Sequence, residues 1–292
     1  MTDIRLGYLC VMLAALFWAL SGTTSKFLFQ AGLTPLDLVQ LRTTVGAAAL
    51  FFWLAAIRRD LFRIDRSSGL SLILIGALLA AAQFTYLFAI SRIHVAIAIL
   101  LQYQAPAFVA LATVALLRKR LTRQIVFALG CSMTGCYLMV GANALSAAPL
   151  DIIGVASGLA SAVCFAAYTM RSEKETTALA PLTIVFYALL VAALIWNILH
   201  PAFSAFAAVA TPALWGSALF VCIGGTVIPF GLYTTGIALI GSARGSITAT
   251  LEPVAAALAA YFCLGERLDS WQIIGGVLVL GAVILLQAPR KE

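Results

Sequence analysis

Apolar residues occur along this chain in long blocks, not at a period of two. Ten blocks stand near residues 7–29, 36–57, 69–90, 94–117, 122–141, 150–170, 180–199, 212–237, 243–263 and 270–288. Short segments rich in Gly, Pro and charge separate them, such as Gly32-Leu33-Thr34-Pro35 and Arg118 to Arg123. About 20 apolar residues are needed to cross the hydrocarbon of a bilayer as a helix. A backbone in lipid must satisfy its own hydrogen bonds, so helices are expected. The ten-residue alternation of a membrane β-barrel is absent. The pattern predicts an all-α membrane protein of ten transmembrane helices.

Lys and Arg placement adds an orientation. With the N-terminus in the cytoplasm, the inner segments hold fourteen of them: Arg5, Arg58, Arg59, Arg63, Arg66, Arg118, Lys119, Arg120, Arg123, Arg171, Lys174, Arg244, Arg290 and Lys291. The outer segments hold only Lys26, Arg92 and Arg267, and Arg42 falls within a span. Positive residues favour the cytoplasmic side, so both termini are expected to be cytoplasmic. The same asymmetry accounts for a formal charge of +7 as a topology signal, and no nucleic acid partner is expected.

Composition agrees with a membrane class. Apolar types make up 63% and charged types 10% of the 292 residues. A soluble domain carries roughly a quarter charged residues. Cys10, Cys131, Cys136, Cys164, Cys222 and Cys263 all sit within apolar runs without a Cys-x-x-Cys, and read as small buried hydrophobes. The first run is too long for a signal-peptide core. His94 and His200 are far apart, and no phosphate-binding loop, dinucleotide fingerprint or His-Glu-x-x-His occurs. No metal, no cofactor and no enzymatic activity are expected.

A shift of 147 residues lays the second half on the first. It puts Tyr86 on Tyr233, Pro106 on Pro253, Ala110-Leu111-Ala112 on Ala257-Leu258-Ala259 and Arg120-Leu121 on Arg267-Leu268. Gly7 falls on Gly154 and Trp18 on Phe165. The units are residues 1–145 and 146–292. Each holds five spans, an odd number, so the second copy must enter the membrane from the other side. Inverted repeats recur in secondary transporters, whose two halves exchange conformations to open the path to either side.

Leu251-Glu252-Pro253, Leu264-Gly265-Glu266-Arg267-Leu268, Trp271 and Ile274-Gly275 resemble the end of an EamA-type domain. Gln104-Ala105-Pro106 and Leu117-Arg118-Lys119-Arg120-Leu121 form a looser first copy that lacks the family's Gly-Glu. The chain thus resembles the drug/metabolite transporter superfamily, near the YddG-type amino-acid exporters of bacterial inner membranes. The resemblance implies a multi-pass inner-membrane exporter of amino acids or similar metabolites, with the third, fourth, eighth and ninth spans, joined by the first and sixth, around a central cavity.

Polar groups at membrane depth are costly and mark candidate sites. Glu252 stands mid-span before Pro253, whose ring disturbs the carbonyl of Ala249. It could take a proton or a substrate amine, or lock packing. Arg42 could pair with Glu252, bind a carboxylate, or extend to the headgroups. Gln83 and Tyr86 share one helix face. Gln102, Tyr103, Trp18, Ser21, Phe165, Tyr168, Tyr233 and Thr250 complete an expected cavity of aromatic and weakly polar character. Packing is the competing role for each of them. Pro106, Pro229 and Pro253 are expected hinges.

The leading expectation is a carrier for a small polar molecule, working as a monomer in the lipid bilayer by alternating access. Neutral or aromatic amino acids head the substrate classes, ahead of amines, nucleosides and drugs. The rival classes are a membrane-embedded enzyme, for which no clustered catalytic groups are visible, and a non-transporting scaffold.

Overall fold

The structure, a computed structural model, describes residues 2–93, 95–116, 118, 120–141, 151–209, 211–264 and 269–287. His94, Leu117, Lys119 and the connector Gly265-Glu266-Arg267-Leu268 lie outside the described residues. The described chain is helical: α1 (Thr2–Gln30), α2 (Pro35–Ile57), α3 (Arg66–Arg92), α4 (Val95–Gln102), α5 (Ala105–Ala115), α6 (Arg123–Cys136), α7 (Ile152–Glu175), α8 (Pro181–Leu199), α9 (Ser204–Ala208), α10 (Pro212–Leu219), α11 (Ile228–Ile240), α12 (Ser242–Ala249), α13 (Glu252–Leu264) and α14 (Ser270–Gln287). Wider π turns extend α6 over Tyr137–Gly141 and join α10 to α11 over Phe220–Val227.

Local chemistry explains the helix starts. Thr34 and Asp37 close a capping box on α2, Thr34 Oγ1 accepting from the Asp37 amide at 3.2 Å. Asp151 caps α7 by accepting from the Ile153 amide at 2.8 Å. That bond first, and then Arg92, holds the Asp151 carboxyl below its usual range. Thr122 and Thr211 cap α6 and α10, and Pro begins α2, α5, α8 and α10, where a missing N–H costs nothing.

Nine stretches among the described residues are long and apolar enough to cross a membrane. The ninth expected span, 243–263, is divided at Thr250-Leu251 into α12 and α13. The fourth is divided at Tyr103-Gln104 into α4 and α5. The two divisions are 147 residues apart, and each precedes a proline, Pro106 or Pro253. A repeat seen only as scattered identities is therefore also a repeat of backbone shape.

Polarity is arranged for lipid. Phe52, Ile198 and Ile284 are 68–80% exposed, while Thr169, Ser172 and Thr234 are fully buried. Lipid tails give no hydrophobic force between helices, so close approach of small residues matters. At the α6–α14 crossing, a Cβ on Gly135 would stand 2.6 Å from the Gly275 carbonyl, and the converse is as tight.

Packing is reciprocal between the halves. α1 lies along α11 as α7 lies along α3; α2 meets α8, and α6 meets α14. Tyr8 Oη donates to the Leu286 carbonyl at 2.6 Å, so α1 begins where α14 ends. On that face Ser71 bonds Glu175 at 2.5 Å, and the Ser242 amide donates to Glu173 at 2.9 Å. On the opposite face Arg92 pairs with Asp151 at 3.3 Å and His200 with Asp37 at 3.1 Å. The reciprocity fails around α12, which meets α5 and α6 although α4 makes at most marginal contact with α13 and α14 among the described residues, and around α7. α7 packs on α11 and α12, whereas α1 makes at most marginal contact with α3 and α4 among the described residues.

Candidate functional site

Two neighbouring regions occupy the middle of the bundle, one packed and one open. The packed region is a knot of five rings. Trp18 of α1 meets Phe230 and Tyr233 of α11, both at 5.3 Å between centroids, and Phe165 of α7 at 6.1 Å. Phe165 stacks on Tyr168 at 5.9 Å and on Tyr233 at 5.7 Å, and Tyr168 meets Phe230 edge-on at 5.8 Å. These separations suit the ring quadrupoles. Tyr168 and Tyr233 have no accessible surface. The Tyr233 hydroxyl shares a hydrogen bond with Thr169 at 3.1 Å. The Tyr168 hydroxyl lies by Ser172 and Thr234, though none of these three makes a well-formed hydrogen bond among the described residues.

The open region holds Arg42, Tyr86, Tyr103 and Glu252. All four lie deep in the helical body, yet each keeps part of its surface accessible. We read these four neighbouring groups, deep and accessible at once, as the lining of one recess. Trp18 and Phe165 of the ring knot also keep some surface. A separate crevice of about 170 Å³, lined by Thr34, Pro35, Leu36, Val39, Phe84, Leu87 and Phe88, contains none of these polar groups and is not this recess.

The recess carries both signs of charge. Glu252 opens α13, one residue past the division of the ninth span, and the Tyr103 hydroxyl, from the division of the fourth, lies by its carboxyl without a well-formed hydrogen bond among the described residues. Tyr103 and Leu251 both pack against one cluster that holds Leu100, Cys136 and Val254, so the two divisions border the same core. Arg42 and Glu252 are close enough to sense each other's charge, but no ion pair joins them among the described residues. Arg42 is held elsewhere. Its Nε donates to Thr226 Oγ1 at 2.9 Å and its Nη2 to the Gly225 carbonyl at 3.0 Å.

Pro229 explains that tether. A proline removes its own N–H and displaces the carbonyl four residues earlier, which is Gly225. The π turn over Phe220–Val227 absorbs the misfit, and Arg42 satisfies the released carbonyl. Gly225 carries no Cβ because Ser21 fills that space. Nothing in the hydrophobic pattern pointed to Gly225 and Thr226, although the spacing from Pro229 was a readable sign. Phe230 was likewise absent from the expected cavity, although the shift of 147 aligns it with Gln83.

The remaining candidates separate by role. Gln83 is 8% exposed, and neither of its amide atoms has a hydrogen-bond partner among the described residues. Gln102 ties α4 to α7 through Ser161 at 3.3 Å. Thr250 joins the divided span to α6 through Ser132 at 2.8 Å. Ser21 is buried against Gly225. Pro106, Pro229 and Pro253 each stand in the first turn after a division or π turn. No group of three or more His, Cys, Asp or Glu side chains could hold a metal among the described residues.

Comparison with known proteins places this geometry in context. The EamA-like transporter family matches the chain twice, over residues 5–141 and 152–287. An "uncharacterized transporter" of Archaeoglobus fulgidus is 32% identical over 97% of this chain and 96% of its own length. An "uncharacterized inner membrane transporter YicL" of Salmonella typhimurium is 26% identical over 100% of this chain and 98% of its own. A Bacillus subtilis protein, "uncharacterized transporter YwfM", is 25% identical over 97% and 95%. One solved crystal structure superposes with a TM-score of 0.75 at 19% identity, covering 96% of this chain and 95% of that one; this likeness concerns the fold.

Proposed function

We propose, for a chain that belongs to the EamA-like transporter family, that it exports small zwitterionic metabolites by alternating access, with neutral or aromatic amino acids as the leading substrate class. The chain is a multi-pass protein of the inner membrane. The modules of residues 1–145 and 146–292 are the moving halves. Each holds an odd number of crossings, which gives them opposite orientations, with both termini in the cytoplasm. A single copy suffices, because one chain surrounds the recess.

The observation that carries this reading is the unpaired coexistence of Arg42 and Glu252 in one recess. A buried charge is expensive unless paired or solvated. Here the guanidinium is anchored to backbone and hydroxyl oxygens, and the carboxyl lies by the Tyr103 phenol with no ion pair among the described residues. Each keeps bonding capacity toward the space between them. An α-carboxylate suits Arg42 and an α-amine suits Glu252, with Tyr86 and Trp18 as apolar walls for a side chain. The same carboxylate, when it binds a proton instead of an amine, would link export to proton entry. On this reading the chain would act as the YddG-type exporters do.

The test is counterflow. Purified protein in liposomes loaded with unlabelled substrate should concentrate labelled amino acids transiently, with little response to amines or to carboxylates lacking the amine. No counterflow of any amino acid by folded protein would refute the proposal.

A further inference from the structure

The repeat gives each ring of the knot a counterpart. Phe165 and Tyr168 of α7 correspond to Trp18 and Ser21 of α1, and Phe230 and Tyr233 of α11 correspond to Gln83 and Tyr86 of α3. In the second copy all four positions are aromatic, and their contacts draw α7 onto α11. This closes the face on which the chain begins. The first-copy positions belong to α1 and α3, which barely touch among the described residues, so the opposite face is the open one.

If the halves trade conformations, α1 must approach α3 and close the opposite face with Trp18, Ser21, Gln83 and Tyr86. That set lacks two rings. Ser21 replaces the phenol of Tyr168, and the Gln83 amide replaces the ring of Phe230. Each aromatic side chain buries 150–250 Å², so the side chains alone leave a hole. The Gln83 amide, nine-tenths buried with both polar atoms unpartnered among the described residues, adds a demand for a donor and an acceptor.

We infer that Ser21 and Gln83 are specificity-determining positions: they leave the second gate incomplete, and it closes around a substrate that brings a ring and a hydrogen-bonding edge for Gln83. The inference rests on the carrier reading above and goes beyond it. It assigns the side-chain end of the substrate to two residues. It also makes closure of the opposite face conditional on occupancy. An empty carrier returns slowly, so exchange outruns net movement. A ring without a polar edge fills the hole but leaves the amide unsatisfied, and a site built to hydrogen-bond a group discriminates strongly against substrates that lack it.

The experiment uses the full chain in liposomes loaded with labelled tyrosine, phenylalanine or leucine. Efflux is measured into buffer with and without unlabelled tyrosine outside. The wild type should exchange tyrosine roughly tenfold faster than it releases it alone, in the order tyrosine, phenylalanine, leucine. Ser21→Tyr combined with Gln83→Phe rebuilds the aromatic set, and should bring exchange and net efflux of the remaining activity to near equality. Gln83→Leu, a smaller perturbation should the double variant fail to fold, should erase the preference for tyrosine over phenylalanine while phenylalanine still moves. Equal exchange and net efflux in the wild type, or an unchanged preference in Gln83→Leu, overturns the inference and leaves the carrier reading standing. A wild type that moves no amino acid overturns both.

Discussion

Arg42 of α2 donates through Nη2 to the carbonyl of Gly225 at 3.0 Å, across the seam between the two halves of the chain. The acceptor exists because Pro229 stands four residues beyond Gly225 and supplies no N–H. One proline thus creates a vacancy in a spanning helix, and one arginine from the other copy fills it. Its Nε also takes Thr226 Oγ1, which in turn donates to the Val221 carbonyl at 2.9 Å.

Replacing Arg42 with Met should therefore cost stability as well as transport. A buried acceptor left without a partner costs about 1–3 kcal/mol, and the Gly225 carbonyl would be such an acceptor. Pro229→Ala restores an amide at 229 and a helical partner for Gly225. The double variant Arg42→Met with Pro229→Ala should lose less stability than the two single changes summed. Thermal unfolding of the four proteins in one detergent measures the coupling. Additive losses would separate the proline from the arginine. Transport should stay impaired in the double variant, since the substrate carboxylate has still lost its cation.

Glu252 has the Tyr103 phenol as a neighbour and, among the described residues, no ion pair with the Arg42 guanidinium. Glu252→Gln keeps the size and a hydrogen-bonding oxygen but removes the charge and the proton site. The expected result is a raised KM for substrates with a free α-amine, by tenfold or more, since about 1.4 kcal/mol corresponds to tenfold. The pH dependence of transport should flatten. A variant whose KM and pH profile both match the wild type would remove Glu252 from substrate and proton handling. Tyr103→Phe should give a weaker version of the KM effect, because it removes the polar neighbour of the carboxyl and leaves the charge.

The ring knot makes a separate prediction about access. Phe230 is 5% exposed and touches Trp18 and Tyr168. Phe→Ala changes in packed sites cost about 3–5 kcal/mol, and here the loss falls on the closed face. A cysteine placed at Ser172, fully buried toward that face, in a chain without the native cysteines, should react slowly with a thiol reagent. Adding Phe230→Ala should raise that rate by an order of magnitude or more, a gain reached with only about 1.4 kcal/mol of weakening. An unchanged rate would mean that the knot packs the bundle without closing a path.

Much of this architecture was legible in the sequence because membrane helices advertise themselves by length and hydropathy. The repeat was legible through Tyr86/Tyr233 and Pro106/Pro253, rare residues that share one offset. The division of the ninth span was half visible, since Glu252-Pro253 breaks the hydrogen-bond ladder but does not say how the chain resumes. The tether of Arg42 was not visible. Its partners are a backbone carbonyl and a threonine on another copy, and carbonyls leave no trace in side-chain patterns. The split between a packed knot and an open recess was also hidden. Tyr86 and Tyr233 are the same residue type at equivalent positions, and their accessibility differs only because α7 has reached α11 while α1 has not reached α3.

The reciprocal packing makes the inversion itself testable. Arg118 to Arg123 follows α5, and residues 265–269 follow α13, its counterpart 147 positions later. Two parallel modules would place these connectors on one side of the membrane, and two inverted modules on opposite sides. Single cysteines at Arg120 and Asp269, labelled in intact cells by an impermeant maleimide, separate the two arrangements. Asp269 should react from outside and Arg120 only after the cells are opened, since Arg118, Lys119, Arg120 and Arg123 form a strongly basic segment that belongs in the cytoplasm. Labelling of both positions from one side would break the exchange of conformations on which the two gates depend, however well the recess fits a zwitterion.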